Sequence, residues 1–184
     1  MISDALVSFI PLGSPLSLVG AAGATFRSGI IDLLGQGVGT APANIIGTGR
    51  TVFGTDLGVG GKRPELNITI GTALAAAAGT TLKVALQAAI DNGSYEPGTW
   101  TDVDSEDNIS LANGTAGAVI FRSPWIPTFP PGLMPRFLSL LFSPQLAGAT
   151  PSGDFTAGTI SSALVTMVRD DYAAKYANKN FTVA

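Results

Sequence analysis

The 184-residue chain contains no histidine and no cysteine. Those two absences exclude a Ser-His-Asp triad, a thiol nucleophile, a disulfide framework and a zinc site with the usual nitrogen and sulfur ligands. Any catalysis would have to run on carboxylates, lysine, tyrosine or an oxygen-ligated metal. Lack of cysteine also fits a reducing cytoplasm. Charge is scarce too: charged residues make up 12% of the chain, against about 25% in an ordinary soluble domain. A formal net charge of −3 leaves no basic footprint for a phosphate backbone, so no nucleic-acid partner is expected. Long apolar runs are missing as well. The stretch Ala5–Val19 is cut by Pro11, Gly13 and Pro15, so it neither spans a bilayer nor forms a continuous helix, and no membrane partner is expected. The first basic residue is Arg27 and Asp4 precedes it, so the charged start of a secretory signal is not expected.

What the sequence does have is 23 glycines, 12 prolines and a further 46% of apolar residues. A chain so poor in charge suits a protein whose surface is largely covered by partners. At this length one core can bury roughly 70% of the unfolded surface, which argues for a single domain. Residues 1–25 lack any sustained period and read as an irregular arm. A first strand is expected over Thr25–Leu34, closed by Gly35, Gly37 and Gly39, and a short one over Arg50–Leu57. Period-two alternation is clearest next. Leu66, Ile68 and Ile70 face one way; Leu82, Val84, Leu86, Ala88 and Ile90 do so in a second strand. The alanine run between them, Thr72–Gly79, is too short and too tightly bounded by glycine for a helix and is expected to be a loop.

Asp91–Asn108 is polar and acidic, with at most a brief pairing at Trp100–Val103. Short strands are expected at Ile109–Leu111 and Ala118–Arg122, around the turn signal Asn113-Gly114. Prolines 124, 127, 130, 131 and 135 exclude a central strand over Ser123–Pro135. Arg136–Phe142 is apolar on both faces, Gln145–Asp154 reads as loop, and Phe155–Val168 reads as a closing strand. Arg169–Lys179 is the one plausible helix: Asp170 and Asp171 stand at its start, Lys175 and Lys179 near its end. The fold class is therefore all-β: a two-sheet antiparallel sandwich or jelly roll over 26–168, with an N-terminal arm (1–25) and a short C-terminal helix or tail (169–184).

Motifs for chemistry are weak. The acidic run Asp102, Asp104, Glu106 and Asp107 lacks the glycine and distal glutamate of a calcium loop. Gly58–Lys62 lacks the spacing of a phosphate loop, and no cofactor is implied. Ser123–Pro135 is either an ordinary loop or a contact element, with Trp125, Ile126, Phe129, Leu133 and Met134 supplying apolar area on a proline-stiffened chain. Leu6, Phe9 and Ile10 in the arm, and Tyr172, Tyr176 and Phe181 in the tail, are the other candidate contacts.

Asp56-Leu57-Gly58-Val59-Gly60, the strand through Leu66, Ile68 and Ile70, an alanine-rich loop, and Leu82, Val84, Leu86 and Gln87 follow one another in a characteristic order. Pro135-Arg136-Phe137-Leu138 and then Gly153-Asp154-Phe155, Gly158 and Ile160 complete it. Together these resemble the capsid cement (decoration) proteins of tailed bacteriophages, Bordetella-phage BPP type, over roughly residues 50–168. The resemblance implies a non-enzymatic jelly roll on the outer surface of a virion capsid, made in the bacterial host cytoplasm. Its partners would be the major capsid protein and itself, as homodimer or homotrimer. The chain departs from the pattern in the glycine-rich residues 35–50, the proline-rich segment and the C-terminal extension. Two rival readings stand beside it. One is a glycan-binding head-fibre or adhesion module using Trp100, Tyr95 and the acidic run; the other is a carboxylate-based hydrolase.

Overall fold

A computed structural model of the chain describes residues 8–11, 13–33, 36–40, 51–53, 65–124, 135–146 and 153–166. Among these residues there are twelve strands and no helix. The strands are β1 (Ser8–Ile10), β2 (Leu16–Ser17), β3 (Phe26–Arg27), β4 (Ile31–Asp32), β5 (Gln36–Thr40), β6 (Thr51–Phe53), β7 (Glu65–Ala76), β8 (Thr80–Asp91), β9 (Pro97–Ser110), β10 (Val119–Pro124), β11 (Phe137–Leu146) and β12 (Phe155–Thr166). One sheet runs β1-β12-β7-β10, with β2 also on β12; the other runs β3-β11-β8-β9, with β4 also on β11. β5 and β6 form a separate two-stranded ribbon. All strand pairs are antiparallel.

The two sheets share one apolar core, as a sandwich requires. Leu66, Ile68, Ile70 and Leu74 of β7 meet Leu82, Val84, Leu86 and Ala88 of β8, with Leu138, Leu140 and Phe142 of β11 and Phe155 and Ile160 of β12. The period-two expectation for β7 and β8 holds except at Ile90, which is 48% exposed. β11 pairs with β8 only as far as Ala89, opposite Phe137, so Ile90 lies past the covered part of the sheet. β11 is buried on both faces as its composition requires.

Five expectations are corrected. The alanine run is strand as far as Ala76, because β12 offers it ladder partners down to Phe155, and that pairing overrides local propensity. The glycine-rich stretch after Leu34 enters a strand, β5, paired to β6. The acidic segment is a 14-residue edge strand, β9, paired along β8 with register shifts. An edge needs few apolar residues, and its charges oppose pairing with other chains. The N-terminal stretch is not an irregular arm throughout. Ser8 and Ile10 pair with Leu164 and Ala163, and Leu16 and Ser17 pair with Ile160 and Thr159. After Leu18, fully buried, the chain crosses to the other sheet, where β3 and β4 replace the single expected strand and line the edge of β11. Each sheet thus has one edge closed by the same segment. The 169–184 helix or tail lies outside the described residues.

Leu74 shows how tightly the β9–β10 corner is fitted. A Cβ on Gly114 would stand 2.5 Å from Leu74 Cδ1, and one on Gly158, at φ +146°, would stand 2.7 Å from Cδ2. Gly114→Ala is expected to cost about 1–3 kcal/mol by overpacking. In a Leu74→Ala background the same change costs markedly less, a coupling that denaturant unfolding of the four variants of the cycle measures.

Candidate functional site

The outer face of the β3-β11-β8-β9 sheet gathers most of the polar chemistry of the described residues. On that face each small side chain of the two central strands stands opposite a larger one: Ala85 opposite Leu141, Ala89 opposite Phe137, Ser139 opposite Gln87 and Ser143 opposite Lys83. Long side chains from β3 and β9 reach in from the two edges. Arg27 on β3 donates from Nη2 to Gln87 Oε1 at 2.7 Å, and Gln87 donates from Nε2 to Asp102 Oδ1 on β9 at 2.6 Å. Lys83 continues the row, 3.4 Å from Asp102 and 3.5 Å from Asp107. The Arg27 guanidinium also stacks 4.4 Å from the centre of the Trp100 ring. Burial lowers the Arg27 pKa from its ordinary value, and the charge of Asp102 works against that shift. Beneath the row, the buried Ser28 hydroxyl accepts from Leu140 N at 2.9 Å and lies 3.3 Å from Ser139 Oγ.

A second cluster sits where β8 and β11 reach the β8–β9 hairpin. Arg136 binds Asp32 of β4 through two parallel hydrogen bonds, Nε to Oδ1 at 3.0 Å and Nη2 to Oδ2 at 2.8 Å. Its third nitrogen donates to Asp91 Oδ2 at the end of β8. The guanidinium also packs 4.9 Å from the Phe137 ring and 5.2 Å from that of Tyr95. Asp91 Oδ1 accepts the backbone N–H groups of Gly93 (2.8 Å) and Tyr95 (3.1 Å). Desolvation pushes the Asp91 carboxyl up, but the Gly93 N–H, the Arg136 guanidinium and the Tyr95 N–H together hold it below its ordinary value. The bonds to Asp32, against desolvation and with Asp91 adding to them, raise Arg136 further. These groups clamp three strands together.

Of the candidate contact residues, Phe9 and Ile10 are corrected: at 1% and 2% exposure they belong to the chain's own core, held there by the pairing of β1 with β12. Leu6, Trp125, Ile126, Phe129, Leu133, Met134, Tyr172, Tyr176 and Phe181 lie outside the described residues. Trp100 carries Arg27 on one ring face, and Tyr95 is 78% exposed beside Arg136. The acidic run is divided: Lys83 bridges Asp102 and Asp107. Among the described residues no three acidic side chains assemble as a metal-binding group. Nor is any helix there long and apolar enough to cross a membrane. A shallow cleft of about 430 Å³ opens at the β9–β10 corner, lined by Glu106, Asn108, Asn113, Thr115 and Val119. Sequence reasoning missed Arg27, Asp32, Gln87 and Arg136. Isolated polar residues in apolar strands were the only trace of them, and register alone brings them together. No protein-family model and no curated protein matches the chain.

The clamp makes stability pH-dependent with a definite sign. Asp91 has a depressed pKa in the folded protein, so its contribution is complete above the ordinary aspartate value of about 3.9 and fades as pH falls through the lower folded value. Melting temperature measured against pH should fall more steeply at the acid end for the wild type than for Asp91→Asn. That variant starts lower at neutral pH, because it no longer carries the charge paired to Arg136.

Proposed function

We propose that this chain is a structural virion protein, a jelly roll that binds the outer surface of a phage capsid and cements neighbouring major capsid protein subunits. The observation that carries the reading is the strand order. The β1–β2 pair lines one edge and the β3–β4 pair the other, so each counts as one position, and the β5–β6 ribbon stands apart. Eight positions remain in chain order, arranged 1-8-3-6 in one sheet and 2-7-4-5 in the other. That order supports reading the sandwich as two Greek keys wrapped into a jelly roll. Fold alone does not define function. The sequence resemblance over residues 50–168, the low charge and the apolar proline-stiffened segment 123–135 add the direction.

Mechanistically, the protein acts by burying apolar area across subunit boundaries, itself as a homodimer or homotrimer, and makes or breaks no bond in its partners. A standard interface has ample gross driving force at about 25 cal/mol per Å², much of it offset by association costs. A rigid sandwich loses little entropy on docking, which favours this use. The glycan-binding alternative rests on Trp100 and Tyr95, and is less favoured because Arg27 occupies one stacking face of Trp100.

Purified protein added to expanded capsids that lack it should co-sediment with them and raise their melting temperature. Absence of both effects would overturn the proposal. Trp125→Ala and Phe129→Ala are expected to weaken capsid binding about tenfold or more while leaving the protein's own melting temperature nearly unchanged. Titration of capsids with each variant checks this.

A further inference from the structure

The chain contains two Asn-Gly pairs in turns, Asn92-Gly93 and Asn113-Gly114, and their backbone amides are held in opposite ways. At the β8–β9 hairpin, Gly93 N–H points at a carboxylate, Asp91 Oδ1, 2.8 Å away. The side-chain carbonyl oxygen of Asn92 accepts the N–H of Ser94, also at 2.8 Å. The turn is closed by Asn92 N donating to Glu96 O at 3.0 Å, and residues 92–96 are all exposed. Gly93 has φ +90° and open space where a side chain would be, a conformation that glycine adopts freely.

At the other pair, Gly114 N–H is shared between two backbone carbonyls, Ser110 O at 3.2 Å and Leu111 O at 3.1 Å. Gly114 itself is buried against Leu74. A carbonyl in a peptide takes no proton, and a buried glycine gives water no approach.

We infer that Asn92-Gly93 is a self-modifying site, at which the chain converts Asn92 to aspartyl and β-aspartyl forms, whereas Asn113 stays intact. The inference is independent of any capsid role. Three roles are filled within four consecutive residues. Gly93 N is the nucleophile; Asp91 carboxylate receives its proton; Ser94 N–H stands where negative charge develops on the carboxamide oxygen, as an oxyanion donor does. The Gly93 N–Cγ bond of Asn92 forms and the Cγ–Nδ2 bond breaks. The departing nitrogen takes up the proton relayed by Asp91 and leaves as ammonia. Water then opens the cyclic imide at either carbonyl, giving aspartate or its β-linked isomer, with no oxidant or reductant needed. The β-linked form adds a methylene to the backbone of the hairpin that ends in Asp91, and both forms place a new carboxylate beside it. The clamp on Arg136 is therefore the neighbour that feels the change.

The test is peptide mapping of the whole protein during long incubation at neutral pH, with ammonia release and β-aspartyl content followed in parallel. The native protein should convert Asn92 about tenfold or more faster than Asn113. Native conversion of Asn92 should also be at least as fast as in the same protein unfolded in urea. Asp91→Glu, which keeps a carboxylate but moves it, should slow native conversion and leave the unfolded rate unchanged. Equal rates at the two pairs, or acceleration of Asn92 on unfolding, would overturn the inference. Folded Asp91→Glu converting at the wild-type rate would also overturn it. The comparison of native with unfolded wild type requires no variant to fold.

Discussion

The ladder between β8 and β11 is the constraint on which the rest of the sandwich hangs. It runs through ten successive partners, from Phe137 opposite Ala89 to Leu146 opposite Thr80, without a register shift. The other long ladders, β12 on β7 and β9 on β8, are each broken by several shifts. Register fixes which face each side chain takes, so an unbroken ladder at the centre of a sheet sets both faces at once. On the inner face it brings Leu82, Val84 and Leu86 against Leu138, Leu140 and Phe142, all at or near zero exposure. On the outer face it sets each small residue, Ala85, Ala89, Ser139 and Ser143, opposite a larger one, Leu141, Phe137, Gln87 and Lys83.

That alternation of small and large side chains leaves few exposed residues in the middle strands of a sheet with one face toward solvent. Strands lie about 4.8 Å apart, so a side chain on β3 and one on β9 can meet only if what lies between them is low. Arg27 and Trp100 do meet, in the ring stack, and Gln87 links Arg27 on to Asp102 by hydrogen bonds. Replacing the small residues by large ones would lift these side chains off the sheet, so the outer network depends on the absence of bulk as much as on its charges. The same economy appears at the β9–β10 corner, where Leu74 fits only because two of its neighbours are glycine.

Legibility in the sequence divides along physical lines. The inward faces of β7 and β8 were readable because a half-buried antiparallel strand repeats every two residues, and both strands keep that repeat. The double burial of β11 was readable from its density of large apolar residues. The N-terminal strands were not, because β1 and β2 together make only four pairings to β12. Short edge pieces broken by Pro11 and Pro15 carry no period, and what stabilises them is the long strand they lean on. β9 was hidden for the reverse reason: an edge strand facing water has an acidic, loop-like composition. The clamp of Arg136 with Asp32 and Asp91 joins positions about fifty to a hundred residues apart in sequence, which composition and spacing cannot foretell.

The placement of charge gives the last step. Among the side chains described, the cations are Arg27, Lys83 and Arg136, and all three lie on the same sheet, engaged with Gln87 or with carboxylates of the chain itself. Asp104, Glu106, Glu96 and Asp154 add to the acidic side of the described surface. A polyanion meeting that surface would find Lys83 and Arg136 already paired with carboxylates and Arg27 held by Gln87 and the Trp100 ring. A partner that offers apolar or weakly basic surface meets no such barrier, and loses no ion pair in docking. These three cations therefore serve to pin strands together.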